Sequence, residues 1–218
     1  MKIEGPKPGF TDEAATISDL EILLQQPAIN ELRPCQNCVA KCECSDSQHC
    51  ACQCSVDCVN IPIALSIDPD RFPIEPGIAR LVFELNALRL FQTCWSCEGH
   101  LSNGYVNKMP RIWFYTPSPT YTQLIVQHLS GLMCAHRLQF NWGVQMTTLN
   151  SEIHCTYSIE PLIDHTTQLT IEALHNDLKV ISEDFAHHIK RLAKSHLRRL
   201  VQNQTANRFG HKMKRKLA

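Results

Sequence analysis

Eight cysteines fall between Cys35 and Cys58, a density that makes this stretch a binding site written into local sequence. They form two near-mirror halves: Cys35, Cys38, Cys42 and Cys44, then, past His49, Cys50, Cys52, Cys54 and Cys58. Four thiols per half is the number a closed tetrahedral metal site requires, and the tight knuckles between such closely spaced cysteines let a chain wrap one ion. Zinc is the default, as two closed sites or as a bridged cluster in which Cys-x-Cys pairs share sulfurs, as in metallothioneins. An iron-sulfur cluster is the rival, although the bacterial ferredoxin spacing is absent. His49 is a further candidate ligand. The simplest role for such a metal is to fold a segment too small to build its own core.

A cysteine cluster means metal rather than disulfides only in a reducing compartment. The opening residues, Met1 to Pro6, lack the basic start and apolar run of a secretory signal, and no stretch approaches the roughly 20 apolar residues of a spanning helix. A cytoplasmic location and no membrane contact are expected. An apolar fraction of 44% over 218 residues suits a soluble globular core.

Domain organisation follows from punctuation and periodicity. Residues 1–60 read as an N-terminal segment carrying the cysteine-rich module (35–58), with a short amphipathic helix from Thr16 to Leu24 ended by Pro27. Pro62, Pro69, Pro73 and Pro76 mark 61–76 as an extended connector, which makes the cysteine module a satellite. Residues 77–165 read as an α+β core domain. Pro76 suits a first helical position, and Ile78, Leu81, Val82, Leu85 and Leu88 recur at helical spacing. Strands are expected near Phe91–Trp95 and Arg111–Tyr115, a helix over Tyr121–His136, and two more strands over Gln139–Thr148 and Ile153–Ile159, joined by a hairpin at Asn150-Ser151. The order helix-strand-strand-helix-strand-strand predicts two layers, with an antiparallel sheet of about four strands and helices on one face. Residues 166–218 are expected to form a long C-terminal helix with a basic tail, apolar at Ile171, Leu174, Leu178, Ile181, Phe185, Ile189, Leu192 and Leu200, continuous from about Gln168 to Gln202.

A second constellation, Cys94-Trp95-Ser96-Cys97-Glu98-Gly99-His100, sits where a strand gives way to a glycine loop. Three chemistries fit these residue types. Cys94, Cys97 and His100 are candidate ligands for a metal, with His154, Cys155, Cys134 or His136 as a fourth group; held by three ligands only, the site would be open and catalytic. Cys94 and Cys97 form a dithiol pair, though the thioredoxin context of a strand running straight into a helix is missing. Or Cys97 is a nucleophile activated by His100, with Glu98 as a nearby carboxylate. The plain alternative is a small strand cysteine beside a structural turn. The run Ser96-Cys97-Glu98-Gly99-His100, followed by a strand and a helix, resembles the Ser-Cys-x-Gly-Arg/His segment of wybutosine-synthesising tRNA methyltransferase-like proteins over a few tens of residues, with His100 where those enzymes typically carry arginine. That resemblance implies a functional loop from Cys97 to His100 on an RNA-related fold.

Charge is strongly polarised behind a net of zero. Up to Asp184 the chain carries 11 basic against all 21 acidic residues, a net of −10, while Phe185 to Ala218 carries ten basic residues and no acid. Lys190, Arg191, Lys194, Arg198 and Arg199 are spaced to neutralise phosphates along a helix, which points to RNA or DNA, or to a protein partner on the same helix. A solvated helix end explains them equally well. Trp95, Trp113, Phe114 and Tyr115 are candidates for base stacking, or for core. The chain thus reads as a metal-binding protein acting as a binding or regulatory module. The alternatives are an iron-sulfur redox protein, a thiol-dependent enzyme using Cys97 and His100, or a metal store.

Overall fold

The computed structural model describes residues 13–26, 74–147, 156–163 and 169–216. The cysteine-rich module, the proline-rich connector up to Pro73, the turn at Asn150-Ser151, and His154 and Cys155 lie outside the described residues. The described part is α+β, with helices α1 (Glu13–Gln25), α2 (Pro76–Ala87), α3 (Pro119–Cys134), α4 (Ile171–Ser182) and α5 (Phe185–Lys216). Its strands are β1 (Gln92–Cys97), β2 (His100–Ser102), β3 (Tyr105–Lys108), β4 (Arg111–Tyr115), β5 (Trp142–Thr147) and β6 (Thr156–Pro161).

Four strands form one antiparallel sheet, as the sequence pattern predicts, and their order is β1-β4-β6-β5; β2 and β3 form a separate hairpin. Period-two burial explains β4: Ile112 and Phe114 are fully buried on one face, while Arg111, Trp113 and Tyr115 are half-buried on the other. Helix α2 packs on β1 and α3 on β5, and α5 lies against α1, α2 and α3. Leu20 and Leu23 of α1 are buried in the same core as Ile78, Leu85, Leu129 and Ile189, so the opening helix belongs to the core although it precedes the cysteine module. Ser118 caps α3 by accepting from the Thr120 amide, and Asp19 of α1 accepts from the hydroxyls of both Ser118 and Thr120.

Two expectations are corrected. The glycine loop after β1 contains the β2–β3 hairpin, whose strands are too short to show periodicity. The long C-terminal helix is broken at Glu183-Asp184, where Asp184 takes φ 50°. Ile181, Phe185 and Ile189 are all fully buried, so the apolar stripe runs through the break and hides it from periodicity. What supports the second helix start is remote: buried Glu84 of α2 accepts from the Ala186 amide at 2.9 Å. The break turns α4 back onto α2, where its buried Asp177 accepts from the Gln139 and Phe140 amides and from Trp142 Nε1. Three donors satisfy a carboxylate that burial would otherwise penalise.

Candidate metal centre

Helix α2 starts at Pro76, so its cap position falls on Glu75, held extended at φ −67° and ψ 140°. The Glu75 side chain does not cap its own helix. It reaches across to the end of β1, where Oε2 accepts from the Glu98 amide at 2.5 Å and Oε1 lies 2.8 Å from His100 Nε2. Glu98 returns the contact: its Oε2 accepts from the Gly77 amide at 2.6 Å and so satisfies one of the orphan donors of α2. From a second helix, His175 Nε2 of α4 donates to the Glu98 carbonyl at 3.0 Å. The Cys97–His100 loop is thereby clamped between two helices.

Two glycines permit this approach. A Cβ on Gly77 would stand 2.7 Å from Glu98 Oε2. Gly99 adopts φ +93°, and a Cβ there would meet Pro110 Cδ at 2.9 Å and the Lys108 carbonyl at 3.1 Å. The turn at Gly99 brings Cys97 and His100 together, and the donor atoms of Glu75, Cys97 and His100 all lie within 4.8 Å of one another.

The electrostatics separate the readings of this loop. Cys97 is 4% exposed. Burial pushes its thiol up, the Gly99 amide pulls it back, and the Glu75 carboxylate, by charge and as acceptor of the S–H, pushes it further up. A nucleophilic cysteine needs its pKa depressed, and here the neighbouring carboxylate does the reverse. His100 pairs with Glu75. A divalent cation between the three donors would replace the thiol proton and turn the thiol–carboxylate conflict into coordination.

The other sequence candidates divide. Cys94 is exposed at the irregularity in the β1–β4 register and stands three positions from Cys97 along a strand, roughly 10 Å, too far for a disulfide without breaking the pairing. Cys134 and His136 are exposed at the end of α3, outside the cluster. Glu98 is next to the group, but its carboxylate is engaged by the Gly77 amide. Phe114 is core, whereas Trp95 is 45% exposed and stacks obliquely on Trp113, ring centroids 5.3 Å apart. On α5, Lys190, Arg191 and Lys194 line one groove of about 370 Å³ with His187, Asp184 and Leu24 of α1. Lys190 Nζ donates to the Gln26 carbonyl at the end of α1. Arg198 is exposed farther along α5, and Arg199 turns instead to His196 Nδ1 at 2.9 Å.

Glu75 and His175 are the residues that sequence reasoning missed. Proline at position 76 signals that Glu75 caps a helix, but its partners are set by the packing of α2 on β1. No protein-family model, curated protein or solved structure matches the chain.

Proposed function

We propose that this is a zinc protein whose folded domain binds the metal at an open site of Glu75, Cys97 and His100, and whose eight-cysteine segment is a separate closed thiolate module. The observation that carries the reading is the convergence of a carboxylate, a thiol and an imidazole within 4.8 Å. Each is a common zinc donor, and three protein ligands leave the fourth position for water or substrate, the pattern of catalytic rather than structural sites. His100, its side chain 43% exposed, stands on the solvent side of the group. A single sulfur with one oxygen and one nitrogen does not suit an iron-sulfur cluster, which needs four cysteines or the Rieske mixture. Zinc held there would polarise a bound carbonyl or bring the pKa of a bound water to about 7. Glu98, Gly77 and His175 position the loop.

Metal counting on the full chain tests this directly. Purified protein carrying Cys97→Ser or Glu75→Gln should hold one zinc fewer than the parent, while replacing Cys50, Cys52, Cys54 and Cys58 by serine should leave the Cys97-dependent zinc in place. An unchanged count in both single variants would reject the site. Brown protein that dithionite bleaches would assign iron-sulfur to the cysteine segment instead.

A polyanion contact on α5 is the second part of the proposal, favoured by the convergence of Lys190, Arg191 and Lys194 on one groove. Single-stranded RNA should bind with marked salt dependence, and Arg191→Glu with Lys194→Glu should weaken binding and reduce the salt slope by about two. Salt-independent association would point to a protein partner on this helix.

A further inference from the structure

Strand β5 is one edge of the four-stranded sheet and carries none of the devices that keep an edge from pairing. The other edge, β1, is interrupted by an irregularity between Thr93 and Trp95. By contrast, β5 keeps unbroken register with β6 from Trp142 to Thr147, and no proline or charged residue occurs between Leu138 and Ser151.

In an antiparallel sheet, alternate residues turn their amide and carbonyl to the same neighbour. The Asn141 carbonyl accepts from the Leu162 amide at 2.7 Å, so Asn141, Gly143, Gln145 and Thr147 are the residues that face β6. The Trp142 amide accordingly points away from β6, where Met133 Sδ of α3 meets it at 3.4 Å. Val144 and Met146 share that outward phase, and their amides and carbonyls have no partner among the described residues.

The surface beside this edge is apolar and without charge. On the helix side of the sheet, Val144 and Met146 border a depression of about 290 Å³ with Tyr157 and with Val126, Gln123 and Gln127 of α3. Met146 is 64% exposed and Val126 43%. Neither β5 nor α3 contains a single Asp, Glu, Lys or Arg, in a chain that is otherwise acidic up to Asp184.

We infer that the β5 edge is the docking surface for a second copy of this chain, β5 pairing antiparallel with β5 about a two-fold axis at Gln145. Self-complementarity favours a second copy over a foreign strand. With the axis at Gln145, each outward amide and carbonyl of Val144 meets the carbonyl and amide of Met146 in the other copy, so both residues are satisfied on both sides. The side chains agree with this register. Val144 falls opposite Met146 on the helix side, an apolar pair, while Gln145 falls opposite itself on the other face with Cα atoms about 4.5 Å apart. A carboxamide both donates and accepts, so it pairs with its own kind, whereas any charge at this position would repel itself. The result is one continuous sheet across the two copies, with Val126 and Met146 covered.

Sedimentation velocity on the full chain tests this under reducing conditions, which prevent cross-linking through the exposed Cys94 and Cys134. The parent should sediment at twice 24.8 kDa. Gln145→Lys and Gln145→Glu should each weaken the dimer about tenfold or more, because like charges then face each other across the axis. An equimolar mixture of the two should recover it, since opposite charges now meet. Gln145 is exposed, so the urea midpoint of either variant, taken at a concentration where the parent is monomeric, should match that of the parent. In hydrogen exchange the Val144 and Met146 amides should be slow in the dimer and fast in either variant alone. A parent that stays monomeric up to about 100 μM overturns the inference, and fast exchange at Val144 and Met146 would then leave the edge to a foreign strand. A Gln145→Lys variant that dimerises like the parent would place the contact on another surface, and a mixture that fails to recover would reject the register at Gln145.

Discussion

The Cys97 thiol donates to the Glu75 carboxylate, and a metal ion bound there would displace that proton. Burial and the adjacent carboxylate both push the thiol up, so at neutral pH the metal-free site holds S–H, and zinc uptake must release that proton. Apparent zinc affinity at this site should therefore rise by about tenfold per pH unit between pH 6 and 8. Competition titrations against a chelator of known affinity would measure it, and a flat profile would mean that Cys97 is not a ligand. Much of this was legible at the level of single residues: Cys97 and His100 stand out by type and spacing. Glu75 does not, because a carboxylate before a helix-starting proline looks like an ordinary cap until its partner, 23 residues away at Glu98, is in place. Glu98, by sequence a carboxylate beside Cys97 and His100, is tied to the Gly77 amide.

Elements carry the precision of the site. The loop from Cys97 to His100 is set by the left-handed turn at Gly99 and by the close approach of Gly77 to Glu98, two places where a methyl group has no room. Gly99→Ala should cost about 2 kcal/mol in urea unfolding, through its φ and its contact with Pro110, and should lower zinc occupancy along with stability. Gly77→Ala, with an ordinary helical backbone, should displace Glu98 and so lower zinc occupancy more than stability; metal content and urea midpoints measured together would separate the two. Periodicity located α2, α3, β4 and the antiparallel sheet because each presents a sustained apolar face. It read α4 and α5 as one helix because Ile181, Phe185 and Ile189 keep helical spacing across Glu183-Asp184. The reversal there depends on Glu84, whose contact with the Ala186 amide spans 102 positions.

At the scale of the molecule, several buried polar groups tie the helices to one another, and one of them, His128, works against the fold as pH falls. His128 is 6% exposed, packs on Phe185 and His188 and contacts the Ile181 carbonyl. Burial above all lowers its pKa from 6.5 to about 4, with the charges of His188, Arg137 and Arg191 acting the same way and the Ile181 carbonyl opposing. The unfolded chain then binds a proton that the folded one refuses, so stability falls as pH drops from about 6.5 toward 4, by on the order of 3 kcal/mol. Glu84, whose pKa burial raises, acts in the opposite sense, since the folded state holds that proton more tightly. Urea unfolding of parent and His128→Leu between pH 7 and 4 should show a shallower loss in the variant; equal slopes would remove His128 as the cause.

By itself the sequence determined what is local: which faces are apolar, where proline and glycine end elements, how the thiols are spaced, and how charge divides at Asp184. Tertiary structure alone decided which local features meet. It joined Glu75 to Cys97 and His100, turned α4 back onto α2, and gathered Lys190, Arg191 and Lys194 beside the end of α1. The physical reason is that periodicity records the face an element must bury but not the element that covers it. A site assembled from a helix cap, a strand end and a hairpin exists only once α2 has packed on β1.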